Sequence, residues 1–227
     1  MVKILDADLI KGHFIVTDNG KRTLIDTGCP VDINEKNMQR IPRLRQHLEG
    51  ARGFVDPTLD GFWGLEYFAR HKVLFDYRKK AIMVADQGDD IMVVHPIAEY
   101  PLLRSIVNPR LIIPMKIAGV ERKMVFDSGA CIANYITESI ATTGTEAGSV
   151  FDEHPDPDIG RYEVKLFNLP VEIGGETVDI PFGSQPEKVD HHVQMDGAIG
   201  VIGIGLYEKF QVLVDCPNQR IVLGKYE

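Results

Sequence analysis

The sequence predicts a mostly β fold of two similar lobes in one chain, related by a pseudo-twofold axis, with a central cleft and a few short helices. Three observations predict it. One apolar run ends in Asp-Thr-Gly at Asp26, and a second ends in Asp-Ser-Gly at Asp127. Each half carries, further along, an Asp-Gly pair followed by two apolar residues and a glycine. Many of the remaining segments alternate apolar and polar residues with the period of two that is typical of strands.

Each Asp-Thr/Ser-Gly motif ends a predicted β-hairpin. The first hairpin reads FIVTDNGKRTLIDTG, with its turn at Gly20, and the second reads MKIAGVERKMVFDSG, with its turn at Gly119. A glycine between two apolar strand patterns indicates a tight turn, because glycine adopts the backbone angles such turns need. The two copies therefore predict the same local structure in both halves.

The downstream glycine segments set the boundaries of the two halves. They start at Leu59 (LDGFWG) and at Met195 (MDGAIG), and both continue through a short helical piece into KVLFDY or QVLVDC. Both then close with a polar turn and an apolar strand. We therefore predict an N-terminal lobe at 1–88 with Asp26, a connection at 89–106, and a C-terminal lobe at 107–227 with Asp127.

The two halves differ between their matching ends. The first half holds a polar, helical pattern, with Asp32 or Asn34 as its cap, an interruption at Pro42 and an end at Gly50. The second half instead holds an alternating strand pair with a turn at Gly174–Gly175. The second half is therefore expected to be richer in strand.

Composition and charge disfavour several kinds of partner. The formal net charge is −8 with no basic cluster to offset it, which disfavours nucleic acid and anionic membranes. The apolar runs are too short to span a membrane, and acids near the N-terminus disfavour a signal peptide. Three widely spaced cysteines, Cys29, Cys131 and Cys216, suit free thiols in a reducing compartment. We therefore expect a cytoplasmic protein.

A strand that ends in Asp-Thr/Ser-Gly, with a supporting apolar-apolar-Gly segment downstream, resembles the aspartic peptidases, and most closely their retropepsin-like group. Retropepsins are homodimers with one motif per chain. This chain has two motifs, as pepsin-like enzymes do, but is much shorter, so it resembles a compact fused pair. The resemblance implies two retropepsin/pepsin-like β-barrel lobes and an aspartic endopeptidase. It also implies a peptide or protein substrate, a two-lobed monomer, and no cofactor or metal.

By this resemblance, Asp26 and Asp127 are the catalytic pair. Two carboxylates at bonding distance cannot both ionise cheaply, so the pair holds one proton over a wide pH range. The ionised member then activates a water, and the protonated member donates to the carbonyl oxygen of the peptide bond. The sequence leaves open which of the two carries the proton.

The neighbours of the pair are expected to support it. Four residues are assigned to the catalytic loops: Thr27, Gly28, Ser128 and Gly129. Six residues are assigned to the apolar-apolar-Gly segments that line and support the cleft: Phe62, Trp63, Gly64, Ala198, Ile199 and Gly200. The flap that covers substrate in this family is expected from the C-terminal half, between about Val150 and Tyr162. Pepsin-like enzymes carry it in the N-terminal half.

Other interpretations stay open at this point. A protein of this fold can be a catalytically weak or inactive peptide- or protein-binding module. It can also be an assembly protein whose second-half strands mediate dimerisation. Cys29, directly after the first motif, is either a reactive thiol or a small buried residue, and the lack of a partner histidine favours burial. His191 and His192 show no metal-ligand spacing.

Overall fold

A computed structural model describes residues 1–105, 108–154 and 159–226 of the chain. Within these residues the chain is mostly β. The strands are, in chain order, β1 Lys3–Ile10, β2 His13–Asp18, β3 Lys21–Ile25, β4 Gly61–Trp63, β5 His71–Asp76, β6 Ala81–Asp86, β7 Pro96–Pro101, β8 Leu103–Arg104, β9 Leu111–Ile117, β10 Val120–Phe126, β11 Asn134–Ile136, β12 Thr145–Glu153, β13 Arg161–Ile173, β14 Glu176–Gly183, β15 Gly200–Ile202, β16 Phe210–Asp215 and β17 Arg220–Lys225. The helices are α1 Glu35–Arg40, α2 Arg43–Phe54, α3 Leu65–Phe68, α4 Glu138–Ala141, α5 Glu187–Met195 and α6 Ile204–Tyr207.

The two predicted motif hairpins are confirmed. Strands β2 and β3 pair antiparallel through a turn at Gly20, and β9 and β10 do the same through a turn at Gly119. Both glycines have positive φ, 75° at Gly20 and 76° at Gly119, where a side chain would be strained. The predicted second-half pair β13–β14, with its Gly174–Gly175 turn, is also confirmed.

The strands form two sheets. The larger sheet has nine strands in the order β4-β3-β2-β1-β6-β5-β16-β17-β7. The other has eight strands in the order β12-β13-β14-β11-β15-β10-β9-β8, and an additional pairing of β13 with β9 closes six of them into a barrel. The predicted mostly β, two-lobed fold class is thereby confirmed.

Strands from both predicted lobes share the larger sheet. The C-terminal strands β16 and β17 lie between β5 of the first half and β7 of the connection. This sheet therefore ties the two halves together at their closing strands. The lobe boundaries at 1–88, 89–106 and 107–227 stay predictions.

The helical segment of the first half is a helix pair. The predicted interruption at Pro42 is confirmed, since it separates α1 from α2. Asn34 is the cap of α1, and its side chain accepts a backbone N–H bond at 3.0 Å. The predicted end at Gly50 is wrong, because α2 continues to Phe54. The residues flanking Gly50 in sequence include buried Leu48 and Ala51, whose packing outweighs the low helix propensity of one glycine.

The main core lies directly beneath the two motifs. Phe126, which precedes Asp127, packs edge-on against Tyr207 with ring centroids 5.8 Å apart. Tyr207 also contacts Phe14 at 5.6 Å and Phe75 at 5.0 Å. These rings come from both halves, so the strands that carry the aspartates rest on one shared aromatic cluster. In the described part of the chain, no helix has the length and apolar character needed to cross a membrane.

Candidate active site

The two Asp-Thr/Ser-Gly loops meet, and the side chains of Asp26 and Asp127 share a hydrogen bond. The close approach of the two loops depends on Gly28 and Gly129. A Cβ built on Gly28 would lie 2.3 Å from Oδ2 of Asp127, and one on Gly129 would lie 2.8 Å from Oδ1 of Asp26. No side chain fits at either position without moving a carboxylate. The glycines predicted as loop support therefore lie against the opposite aspartate.

Thr27 and Ser128 lock the loops together through reciprocal hydrogen bonds. The N–H of Thr27 donates to Oγ of Ser128 at 2.9 Å, and the N–H of Ser128 donates to Oγ1 of Thr27 at 2.8 Å. The hydroxyls in turn donate to carbonyls of the opposite strand, Thr27 to Phe126 at 3.2 Å and Ser128 to Ile25 at 3.1 Å. Both residues are buried, where an unmatched polar group costs about 1–3 kcal/mol. The contact is therefore a symmetric clamp beneath the aspartates.

The electrostatics of the pair favour one shared proton. Burial, followed by the negative charge of Asp26, raises the pKa of Asp127 to about 7. Burial also raises the pKa of Asp26, while the N–H of Gly28 and the bond to Asp127 act to lower it. Each aspartate accepts a bond from its own loop glycine, at 2.8 Å from Gly28 and 2.7 Å from Gly129. The pair therefore holds one shared proton toward neutral pH.

The supporting segments lie beside the loops, but in the second half they are displaced by three residues from the predicted ones. In the first half β4 runs parallel to β3, and the N–H of Asp26 donates to the carbonyl of Trp63 at 3.0 Å. In the second half β15 runs parallel to β10, and the N–H of Asp127 donates to the carbonyl of Ile202 at 3.0 Å. Phe62, Trp63 and Gly64 thus correspond to Val201, Ile202 and Gly203.

The predicted match of Phe62, Trp63 and Gly64 with Ala198, Ile199 and Gly200 is therefore wrong. The second segment repeats glycine every few residues, so several alignments satisfy the letter pattern. Backbone packing decides between them. A Cβ on Gly203 would lie 2.3 Å from the carbonyl oxygen of Asp127, whereas Gly200 lies against Tyr135 and matches Gly61. Ala198 and Ile199 precede the segment that supports the loop.

Two polar side chains missed by the sequence reasoning hold these segments. Oδ1 of Asp32 accepts the N–H of Gly64 at 3.0 Å and of Tyr67 at 2.9 Å. In the second half, Oδ1 of Asn134 accepts the N–H of Gly203 and of Gly205, both at 3.0 Å. The signal available in sequence was a polar residue a few positions after each motif. Asp32 was considered only as a helix cap.

Arg110 is a third residue that the sequence reasoning missed. It immediately precedes β9, and its Nε lies 2.9 Å from Oδ2 of Asp196, whose side chain is fully buried. Its positive charge lowers the pKa of both Asp26 and Asp127. The matching position in the first half is His13, the first residue of β2, whose pKa burial lowers to about 4, so it is neutral near pH 7. Arg110 is therefore a positive charge of the second half that acts on the aspartate pair.

All three cysteines are buried, and none of them forms a disulfide within the described residues. The Sγ of Cys29 donates to the carbonyl of Val31 at 3.1 Å, and burial raises its pKa. Burial likewise raises the pKa of Cys131, whose Sγ lies 3.3 Å from the carbonyl of Ser128. Raised thiol pKa values disfavour thiolate chemistry, so the interpretation of Cys29 as a packing residue is the better supported one.

The segment predicted to form the flap belongs to the hairpin of β12 and β13. Part of the predicted loop is strand, since β12 runs to Glu153 and β13 begins at Arg161. The tip of the predicted flap, at 155–158, lies outside the described residues. Asp152 of β12 accepts a hydrogen bond from the hydroxyl of Tyr135 on β11. Burial raises the pKa of Asp152 to about 6. In the described part of the chain, no group of three or more His, Cys, Asp or Glu residues could hold a metal.

Comparison with solved structures relates the fold to that of an aspartic proteinase. No known family profile matches the sequence, and no curated protein matches it either. Among solved structures, the aspartic proteinase from Irpex lacteus aligns with a TM-score of 0.54 and 9% identity, over 100% of this chain and 98% of that one. Basic 7S globulin from soybean aligns with a TM-score of 0.39 and 13% identity, over 74% of this chain and 57% of that one. The first match shows the fold of an aspartic proteinase, and at this identity it shows the fold alone.

Proposed function

We propose that the protein is an aspartic endopeptidase that hydrolyses peptide bonds with a water activated between Asp26 and Asp127. The observation that carries the proposal is the hydrogen-bonded carboxylate pair, clamped by Thr27 and Ser128. A duplicated β-domain whose acids only cap turns has no need to bring two carboxylates into contact, because two close carboxylates cannot both ionise without a cost in free energy. We further propose the retropepsin-like, fused-pair type.

We propose a role for each aspartate. Asp127, with the pKa raised to about 7, is the acid that donates its proton to the carbonyl oxygen of the substrate. Asp26 is the base that takes a proton from the attacking water. The water oxygen bonds to the carbonyl carbon and forms a diol. The C–N bond then breaks as the leaving nitrogen takes the proton from Asp26 and the diol returns a proton to Asp127, which restores the pair. No covalent intermediate with the protein forms.

The substrate is proposed to be an extended peptide or protein segment with apolar side chains beside the bond that is cut. Apolar residues flank both aspartates, and the β12–β13 hairpin lies over those of the second half. This hairpin is proposed to be the flap, so that it excludes water from the bound peptide. We also propose that the protein is a two-lobed monomer in the cytoplasm. It is proposed to act without a cofactor or metal and without nucleic acid or membrane as a partner.

Cleavage of a mixed peptide library by the native protein, read by mass spectrometry from pH 3 to pH 9, tests this proposal. We expect cuts between apolar residues and a rate that falls as the pH rises through about 7, because Asp127 then loses the proton that the acid step needs. Cleavage resistant to metal chelators is expected. If the library stays intact across this range, the enzyme proposal fails.

The second candidate is a peptide- or protein-binding module of the same fold with little or no catalysis. It is favoured by the apolar residues that lie beside both aspartates, among them Leu24, Phe62, Val125 and Val201. A protein that binds library peptides without cutting them would support this candidate.

A further inference from the structure

An apolar face lies beside each motif aspartate, and the two faces match residue by residue. Each consists of the residue two before the aspartate, the residue three after it, and one residue from each of the next two segments. We call them the first-half face (Leu24, Cys29, Ile33, Phe62) and the second-half face (Val125, Ala130, Tyr135, Val201). Strand pairing supports the match, because Leu24 pairs with Phe62 as Val125 pairs with Val201.

Both faces lie on the side of the strands that carries the carboxylates. Side chains alternate along a strand, so Leu24 is on the side of Asp26, and Val125 is on the side of Asp127. The residues between them, Ile25 and Phe126, belong to the main core instead. A peptide bound at the carboxylate pair would therefore place its side chains on these faces.

The two faces have different covers. The second-half face is covered by the β12–β13 hairpin, through Val150, Tyr162, Val164 and Leu166. The first-half face is covered by helix α2 and the residue that follows it, through Leu48, Ala51 and Val55. The helix leaves Leu24 only 2% and Phe62 only 3% exposed. Helix α2 therefore occupies, beside Asp26, the place that the proposed flap occupies beside Asp127.

Helix α2 is weak by its own sequence. Its N-cap residue, Pro42, makes no side-chain cap bond, and its first turn has no acidic residue. Arg43 and Arg45 put positive charge at the end where the helix dipole favours negative charge. Gly50 and Gly53 both lie inside the helix and lower its stability relative to alanine. The helix is therefore held mainly by its few buried contacts.

An open groove with a mostly polar lining also runs beside the helix pair. The groove has a volume of about 580 Å³ and lies between the helix pair and strands β3 and β4. Its lining includes Leu48 of the helix together with Ile33 and Phe62 of the first-half face. Two residues of the first-half face, Ile33 and Phe62, therefore border this groove.

We propose that the first-half face is a second substrate-binding face and that α2 is a displaceable lid over it. The ligand is an extended peptide with an apolar side chain on each side of the cut bond. One side chain binds under the β12–β13 hairpin, and the other binds only after α2 lifts. This inference rests on the proposed function. In the substrate-free protein, α2 covers the first-half face and closes it to substrate.

The thiol of Cys29 reports the position of the lid, since it belongs to the first-half face. Iodoacetamide alkylation of each cysteine would be followed by mass spectrometry at one fixed pH. Leu48→Ala removes the main apolar contact of the lid, so Cys29 should be alkylated at least about tenfold faster. Gly53→Ala adds a Cβ that meets nothing within 4 Å, so it should stabilise the helix. The alkylation of Cys29 should then be about two- to fivefold slower. Cys216, buried elsewhere, is the internal control for global unfolding.

A peptide probe tests the second part of the proposal without requiring catalysis. In Leu48→Ala combined with Asp127→Asn, the blocked tetrapeptide acetyl-Val-Phe-Leu-Val-amide should protect Cys29 and leave Cys216 unchanged. If Cys29 and Cys216 respond in parallel in every variant, α2 opens only with global unfolding and the lid proposal is overturned. If Leu48→Ala speeds the alkylation of Cys29 but the peptide does not slow it, the first-half face does not bind substrate and that part of the proposal is overturned. If the peptide protects Cys29 but the native protein cleaves nothing, the lid and its binding face are supported and the proposed peptidase function is rejected.

Discussion

Replacing either Asp26 or Asp127 by Asn is expected to lower peptide turnover by about 10³-fold or more. Each substitution removes one of the two groups that must exchange protons with the reacting atoms, and general acid–base steps contribute about 10²–10⁴-fold each. The two losses should not multiply in the double variant, because the carboxylates act as one unit. Initial rates on one peptide found in the library experiment would measure the effect.

The matched control is Asp179→Asn, which changes an exposed aspartate of β14 by the same atoms. It should keep full turnover. Circular dichroism should show that all the variants remain folded, because asparagine preserves the size of the side chain. Wild-type turnover in Asp26→Asn or Asp127→Asn would remove the carboxylate pair from the mechanism.

Asp127→Asn is also expected to make the protein more stable above pH 7. The folded-state pKa of Asp127 is raised from 3.8 to about 7, so the folded protein keeps a proton that the unfolded chain has released. The stability that this proton provides is full below about pH 4 and is lost as the pH rises through about 7. Asparagine never ionises and avoids this loss. The gain in free energy of unfolding should be at least about 1 kcal/mol at pH 8, since one pKa unit corresponds to about 1.4 kcal/mol.

Urea unfolding of the wild type and of Asp127→Asn at pH 4 and pH 8 would measure this effect. The difference between the two proteins should be small at pH 4 and favour the variant at pH 8. The Asp179→Asn control should show no such pH-dependent gain. A variant equal to the wild type at both pH values would mean that the ionised pair imposes no cost on the fold.

The parts of the structure that depend on short-range patterns were predictable. Hairpins β2–β3 and β9–β10 follow from strand alternation and a turn glycine, and the positions of Asp26 and Asp127 at their ends follow with them. The interruption at Pro42 is equally local, because proline cannot continue the helix before it. These features need no knowledge of the distant chain.

The errors arose where tertiary packing decides. Glycine repeats in the second supporting segment allow several alignments, and only the parallel pairing of β10 with β15 selects Val201–Gly203. Helix α2 passes the predicted end at Gly50 because it packs on the first-half face. Arg110 carries no motif, and its place beside the aspartates depends on strand register and on its buried partner Asp196.

The most direct test of the account is the pH titration of the Asp26 and Asp127 carboxyl carbons by ¹³C NMR in the native protein. Assignments would come from the two Asp→Asn variants. We expect one carboxyl to keep its proton up to about pH 7, and we expect that carboxyl to be Asp127. In Asp26→Asn the pKa of Asp127 should fall, because the negative charge of Asp26 is one cause of its elevation. Two carboxyls that titrate independently near pH 4 would contradict a shared proton, and with it the proposed mechanism.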